Sequence, residues 1–224
     1  MTTKTERSRG MPRRTAPVET RSSRTPLLVG GAIVAFILIA AIIALALSGT
    51  GSGGLAEPAS ETIGITGQPL AALSPDGGPD PAAGQVIPTI TGTDLDGEAM
   101  TIEAGDGPMA IVLLAHWCNH CQAEVPVLVD YLESTGMPEG VELVAISTSI
   151  NQAQPNYPPS AWLEREGWTV RTMVDDASSR ALQSLGMSSF PGFVFVDADG
   201  RVVSRTTGEI PAAQFDQLVN SLAP

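Results

Sequence analysis

Lysine is almost missing from this 224-residue chain: Lys4 is the only one, and beyond residue 26 five arginines face 22 acidic residues, a net −17. Such a surface repels phosphate backbones and anionic headgroups, which argues against nucleic acid as a partner of the main body. The acid surplus serves solubility. Cysteine is nearly as scarce, with only Cys118 and Cys121, and the two histidines, His116 and His120, fall in the same short stretch. A bridge between cysteines so close together closes a tiny loop and removes little chain entropy, so a structural staple is a weak explanation for the pair. There are no internal repeats.

What is present is distributed unevenly. Residues 1–26 are polar and basic, with seven Lys and Arg against Glu6 and Glu19. Residues 27–47 are uncharged and almost wholly apolar. At 1.5 Å per residue such a run crosses a hydrocarbon core of ~30 Å, so a transmembrane helix is expected there. Arginines before it and acids after it place the N-terminus in the cytoplasm and residues 48 onward outside. A cleaved signal peptide is the rival, because Ala44-Leu45-Ala46 resembles a cleavage site, but signal apolar regions run only ~7–15 residues. Arg13-Arg14 lies too far upstream for twin-arginine export, and the absence of a cysteine near the segment's end excludes a lipoprotein anchor. Residues 48–84, rich in Gly, Pro, Ala and Ser, are expected to be a flexible linker, and the folded domain to occupy 85–224.

Within that domain, apolar runs alternate with helical periodicity. A hairpin is expected around Asp94-Leu95-Asp96-Gly97, then an interior strand from 109 to 115. Val125, Leu128, Val129 and Leu132 recur at i, i+3, i+4 and i+7, one face of a helix that Gly136 and Pro138 end. Further strands are expected at 141–147 and 169–174, and short helices after Ser160 and after Asp175 or Asp176. A second hairpin around Asp197-Ala198-Asp199-Gly200 and a helix from Pro211 complete the pattern. This order describes an α/β architecture, a sheet with helices on both faces.

The chemistry gathers where the first interior strand meets its helix, at Ala115-His116-Trp117-Cys118-Asn119-His120-Cys121-Gln122-Ala123-Glu124. Unpaired N–H groups and the helix dipole favour a thiolate there, and a thiolate is what attacks disulfides. The pattern Trp117-Cys118-x-x-Cys121-x-x-Glu124-x-Pro126, with Phe190-Pro191 before an apolar hairpin, resembles the TlpA/ResA-like membrane-tethered branch of the thioredoxin superfamily. The likeness covers about residues 85–223 and implies a thioredoxin fold with an extra N-terminal hairpin, and thiol–disulfide oxidoreductase activity outside the cytoplasmic membrane.

The resemblance also implies roles. Cys118 is the nucleophile and Cys121 the resolving thiol of a redox-active Cys118–Cys121 disulfide. Glu124, three residues on along the same helical face, is the carboxylate that exchanges a proton with Cys121. Thioredoxins proper carry an aspartate in the central strand where this chain has Val112, so Glu124 stands alone in that duty. His120 is placed to stabilise the Cys118 thiolate and make the disulfide more oxidising. Pro191 is expected to be cis, with Phe190 before it and Trp117 beside it binding the client. Helix-dipole compensation by Glu124 and a solvent-facing His120 are the plain alternatives. Pro126 should kink its helix, and His116 should mark an exposed strand end.

Expected partners are thiols and disulfides of exported proteins, apocytochrome c cysteines in cytochrome c maturation included, and a membrane thiol–disulfide electron carrier. The chain is expected to act as a monomer without cofactor. Metal binding or delivery of copper or zinc is the rival class, with His116, Cys118, His120 and Cys121 as donors. Covalent haem is not expected, because Gln122 follows the second cysteine where a histidine is needed. A peroxidase needs a lone peroxidatic cysteine, and an inert interaction module is the third class.

Overall fold

A computed structural model describes residues 63–223, so the expected cytoplasmic tail and the transmembrane segment at 27–47 lie outside the described residues. No helix among the described residues is long and apolar enough to cross a membrane.

Six residues with both faces buried form the centre of the sheet. Strand β4 (Met109–Leu114) has no exposed residue. Because side chains alternate along a strand, Met109, Ile111 and Leu113 enter one apolar cluster and Ala110, Val112 and Leu114 the other. That double burial is why the sequence shows a continuous apolar run. Parallel to β4 lies β5 (Glu142–Ser147), and β6 (Thr172–Val174) continues in parallel beyond it. On the other side β7 (Gly192–Val196) runs antiparallel and turns back as β8 (Val202–Thr207). At the far edge β2 (Thr89–Asp94) pairs antiparallel with β6, β3 (Ala99–Ile102) and β1 (Gly64–Thr66). The path is β1-β2-β6-β5-β4-β7-β8, with β3 paired to β2. The β2–β3 hairpin is the N-terminal addition expected from the sequence, turned by Gly97 at φ 85°.

One face of the sheet is covered by α1 (Asn119–Ser134), α2 (Pro159–Arg165) and α4 (Ala212–Asn220). Their Val125, Leu128, Trp162 and Phe215 pack with Phe193 and Phe195 of β7. Tyr131 of α1 meets Phe215 of α4 edge to face, 5.1 Å between ring centroids, a preferred aromatic geometry. The other face carries α3 (Arg180–Ser184). Asp175 caps it: its carboxylate accepts N–H bonds from Ala181 and Leu182, at 2.9 and 3.2 Å, and the Thr148 hydroxyl at 2.7 Å. Burial still pushes the Asp175 carboxyl above its ordinary value, against the pull of these donors.

The flexible linker expected up to residue 84 is corrected over its second half. Ile63, Leu70 and Ala82 are buried in the core, and β1 adds a strand ahead of the expected hairpin. Backbone bonds from Leu70 to Ser184 and from Leu73 to Gly186, both 2.8 Å, fasten the segment to the end of α3. Gly186 is required there, because a Cβ would lie 2.4 Å from the Ala71 carbonyl oxygen. The clamp is ionic: fully buried Arg205 of β8 meets Asp80 through Nε at 3.0 Å and Nη2 at 2.5 Å. Its Nη1 donates to the Leu185 carbonyl at 2.7 Å. The guanidinium holds the Asp80 carboxyl below its ordinary value. Composition alone concealed this, since Gly- and Pro-rich chain can be ordered when one charged pair fixes it to a core.

Breaking that pair strands a buried cation. Asp80→Ala is expected to destabilise the fold by about 3–5 kcal/mol, read as a lower urea midpoint of the full-length protein. A midpoint within error of wild type would show that the Arg205–Asp80 pair contributes nothing to stability.

Candidate active site

The C-terminal end of β4 delivers the chain into the cysteine turn. Leu114 is followed by buried Ala115 and His116, then half-buried Trp117 and Cys118, and α1 starts at Asn119 with Cys118 as its N-cap. The expected strand-to-helix switch is therefore present, with both cysteines as free thiols. Pro126 lies inside α1, which continues to Ser134; it withholds one N–H, so the Gln122 carbonyl loses its usual i+4 donor.

Cys118 is the accessible member. Its thiol donates to the carbonyl of Phe190, 3.5 Å away and 72 residues on in sequence. The Phe190–Pro191 bond is cis, as the resemblance implied, and so is Tyr157–Pro158, which no sequence feature had marked. Trp117 stacks its edge on Phe190, with 5.6 Å between centroids, and donates its indole N–H to the Ser149 carbonyl at 2.8 Å. Trp117, Phe190 and Pro191 thus form one wall beside Cys118.

Cys121 is fully buried one turn below. The Ala115 N–H donates to its sulfur at 3.4 Å. Burial raises the thiol far above its ordinary value; the Ala115 N–H offsets part of this, while Cys118 and the charge of Glu124 add to it. Glu124 is 1% exposed. Its Oε2 accepts the Ile210 N–H at 3.1 Å, and its Oε1 has no hydrogen-bond partner. Its carboxyl is pushed up to about 7, chiefly by burial, with the Ile210 N–H opposing and the charge of Glu209 reinforcing. A surface acid compensating a helix dipole would be solvated, and Glu124 is not.

The histidines depart from expectation in different ways. His116 is not an exposed strand end but is fully buried. The Pro155 carbonyl can only accept, so Nδ1 carries the hydrogen at 2.7 Å; the Asn151 amide can only donate, so Nε2 accepts at 3.2 Å. The ring is a neutral tie between the cysteine turn and the 149–158 loop, and burial lowers its proton affinity. His120 is on the surface, its side chain 70% exposed, and its Nδ1 meets Glu209 Oε1 at 2.6 Å. With His116 occupied at both nitrogens and His120 turned to Glu209, the four donors of the metal reading do not converge. Among the described residues no cluster of three or more His, Cys, Asp or Glu is arranged to hold a metal ion.

Sequence reasoning missed Glu209 and Ile210. They sit 89 and 86 residues from their partners in α1, and nothing in the local Gly208-Glu209-Ile210-Pro211 run points to a thiol.

Similarity to known proteins agrees with this geometry. Residues 82–222 match the Redoxin family. The thiol-disulfide oxidoreductase ResA of Geobacillus thermodenitrificans (strain NG80-2) is 26% identical over 145 residues, covering 64% of this chain and 79% of that protein. Two solved structures share the fold. A DsbF homologue from Corynebacterium diphtheriae has a TM-score of 0.56 at 19% identity, over 70% of this chain and 100% of its own. The thioredoxin domain of a thiol-disulfide oxidoreductase from Bacteroides vulgatus has 0.52 at 20%, over 64% and 99%. Two thiols of unequal access at a strand-to-helix turn, faced by a cis-proline and backed by a buried carboxyl, accord with that likeness, and the chain belongs to the Redoxin family, an oxidoreductase of thioredoxin fold similar to ResA.

Proposed function

We propose that this protein is anchored by residues 27–47, faces outward from the cytoplasmic membrane, and reduces disulfides of exported proteins with electrons from a membrane thiol–disulfide carrier. Apocytochrome c cysteines, as in cytochrome c maturation, are fitting clients. The observation that carries the reading is the pairing of a reachable Cys118 beside the Phe190 carbonyl with a Cys121 wholly buried behind it.

The Cys118 thiolate attacks one sulfur of a client disulfide. A Cys118–client bond forms, the client S–S bond breaks, and the displaced client sulfur leaves as a thiolate that takes a proton. Glu124 then accepts the proton of Cys121, whose sulfur attacks Cys118. The mixed disulfide breaks, the second client sulfur leaves as a thiolate and takes a proton as Glu124 gives up the one it accepted, and Cys118–Cys121 holds the new bond. Two electrons and two protons have passed to the client, and the carrier restores the dithiol.

Direction follows from charge. A strongly oxidising pair needs its thiolate stabilised. Here the His120 imidazole is paired with Glu209, and a second carboxyl, Glu124, lies under the resolving thiol. Such surroundings oppose negative charge on Cys121 and give no dedicated cation to a thiolate, which suits a reductant.

Cys118→Ser is expected to abolish exchange, whereas Cys121→Ser should accumulate a mixed disulfide with client, visible on non-reducing gels. If Cys121→Ser turned over like wild type, the assignment of resolving thiol would be wrong.

Glu124 links activity and stability to pH with opposite signs. Activity rises as the carboxyl ionises, through about 7. Stability runs the other way: a carboxyl whose folded value is raised from 4.5 to about 7 favours the fold fully below 4.5 and loses that contribution as pH climbs through about 7. The loss is about 3 kcal/mol. Glu124→Gln should slow exchange at neutral pH and remove the decline in urea midpoint between those pH values; a variant with both profiles unchanged would return Glu124 to a passive role.

In intact cells a membrane-impermeant maleimide should modify Cys118, and the full-length protein should equilibrate at about −270 mV and not about −120 mV. Labelling only after lysis would refute the location, and the higher potential would refute the direction.

A further inference from the structure

Three consecutive residues between β8 and α4 each touch a different part of the site. The Gly208 N–H donates to the Pro191 carbonyl at 2.8 Å. The Glu209 carboxylate receives His120 Nδ1 at 2.6 Å. The Ile210 N–H donates to Glu124 Oε2 at 3.1 Å. The first and third contacts are backbone, so almost any sequence could make them. The second is made by a side chain, and the presence of an acid there, beside a buried acid, needs a reason.

We propose that Glu209 is a positioning residue of the exchange reaction, a relay whose carboxylate, held by exposed His120, governs how readily buried Glu124 takes the proton of Cys121. This rests on the exchange reading above and adds a regulator to it. His120 stands four residues before Glu124 on α1, so Glu209, bound to the first and next in sequence to the residue that bonds the second, lies against one face of that helix. Its carboxylate opposes a second carboxylate at Glu124, and without the His120 contact it stands as an uncompensated anion.

Few other groups compete. Glu209 reinforces the raised proton affinity that burial gives Glu124, and the Cys121 thiol is the titratable neighbour on its own helix. The β4 and β7 side chains that share the Cys121 cluster are apolar, Val112, Leu114, Phe193 and Phe195 among them. On α4, Asp216 is taken by the Tyr131 hydroxyl at 3.0 Å. Further along α1, Asp130 and Glu133 are exposed. Glu209 is the acid whose side chain faces both the solvent and the site, at 49% exposure, so replacing it leaves the core intact.

The test is the ionisation midpoint of Glu124 in the full-length protein, followed by the carboxyl carbon shift under 13C-glutamate labelling and assigned by its loss in Glu124→Gln. Glu209→Gln should lower the midpoint by about half a pH unit, roughly a threefold change in the ionised fraction below it. His120→Gln, which keeps the Glu209 charge and removes its partner, should raise it. The pH profile of exchange should move with the midpoint in each variant. A structural role for the pair would shift both variants the same way or neither, and either result overturns the proposal, as does an unmoved midpoint in Glu209→Gln. If the midpoints move as expected but the wild-type protein exchanges no thiols, the relay stands and the exchange reading falls.

Discussion

A thiol and a carboxyl group, Cys121 and Glu124, sit three residues apart on α1, sealed from water and each served by one amide N–H. Neither ionises cheaply there, because desolvation penalises the charged form of both. In the proposed exchange, handing one proton from sulfur to oxygen lets the pair carry a single negative charge at a time. The proposed division of labour between the cysteines rests on the same burial: Cys118 lies at the rim and Cys121 is sealed behind it.

The fold supplies that arrangement through a strand that ends abruptly. β4 is fixed on both sides, by β5 in parallel and β7 in antiparallel pairing, so its last residue is held firmly where α1 begins. Antiparallel β7 brings Pro191 to the same end of the sheet, and its partner β8 leads back to Gly208, Glu209 and Ile210. His116 ties the cysteine turn to the 149–158 loop, and the loop in turn holds the Trp117 indole. Four segments remote in sequence converge because one end of the sheet gathers them.

Much of this was legible in the residues. The apolar run of β4 and the i, i+3, i+4, i+7 spacing of α1 record burial on two faces and on one, so both elements and the cysteines between them could be located from periodicity. The two Asp- and Gly-turned hairpins were equally plain, since each turn demands its residues. The 63–84 segment was not: its order depends on Arg205 meeting Asp80 across 125 positions, and composition records no such pairing. The burial of His116 was hidden for the same reason, because its partners lie in a Pro-rich loop 35 and 39 residues away.

By itself the sequence determined what bonds locally: which stretches become strand or helix, and that two thiols and an acid share the first turns of one helix. Tertiary structure decided how strongly Cys121 and Glu124 hold their protons. Proton affinity depends on solvent access and on nearby charge: burial under the packed fold raises both, and Ile210 and Glu209, arriving from the far end of the chain, adjust Glu124 in opposite directions.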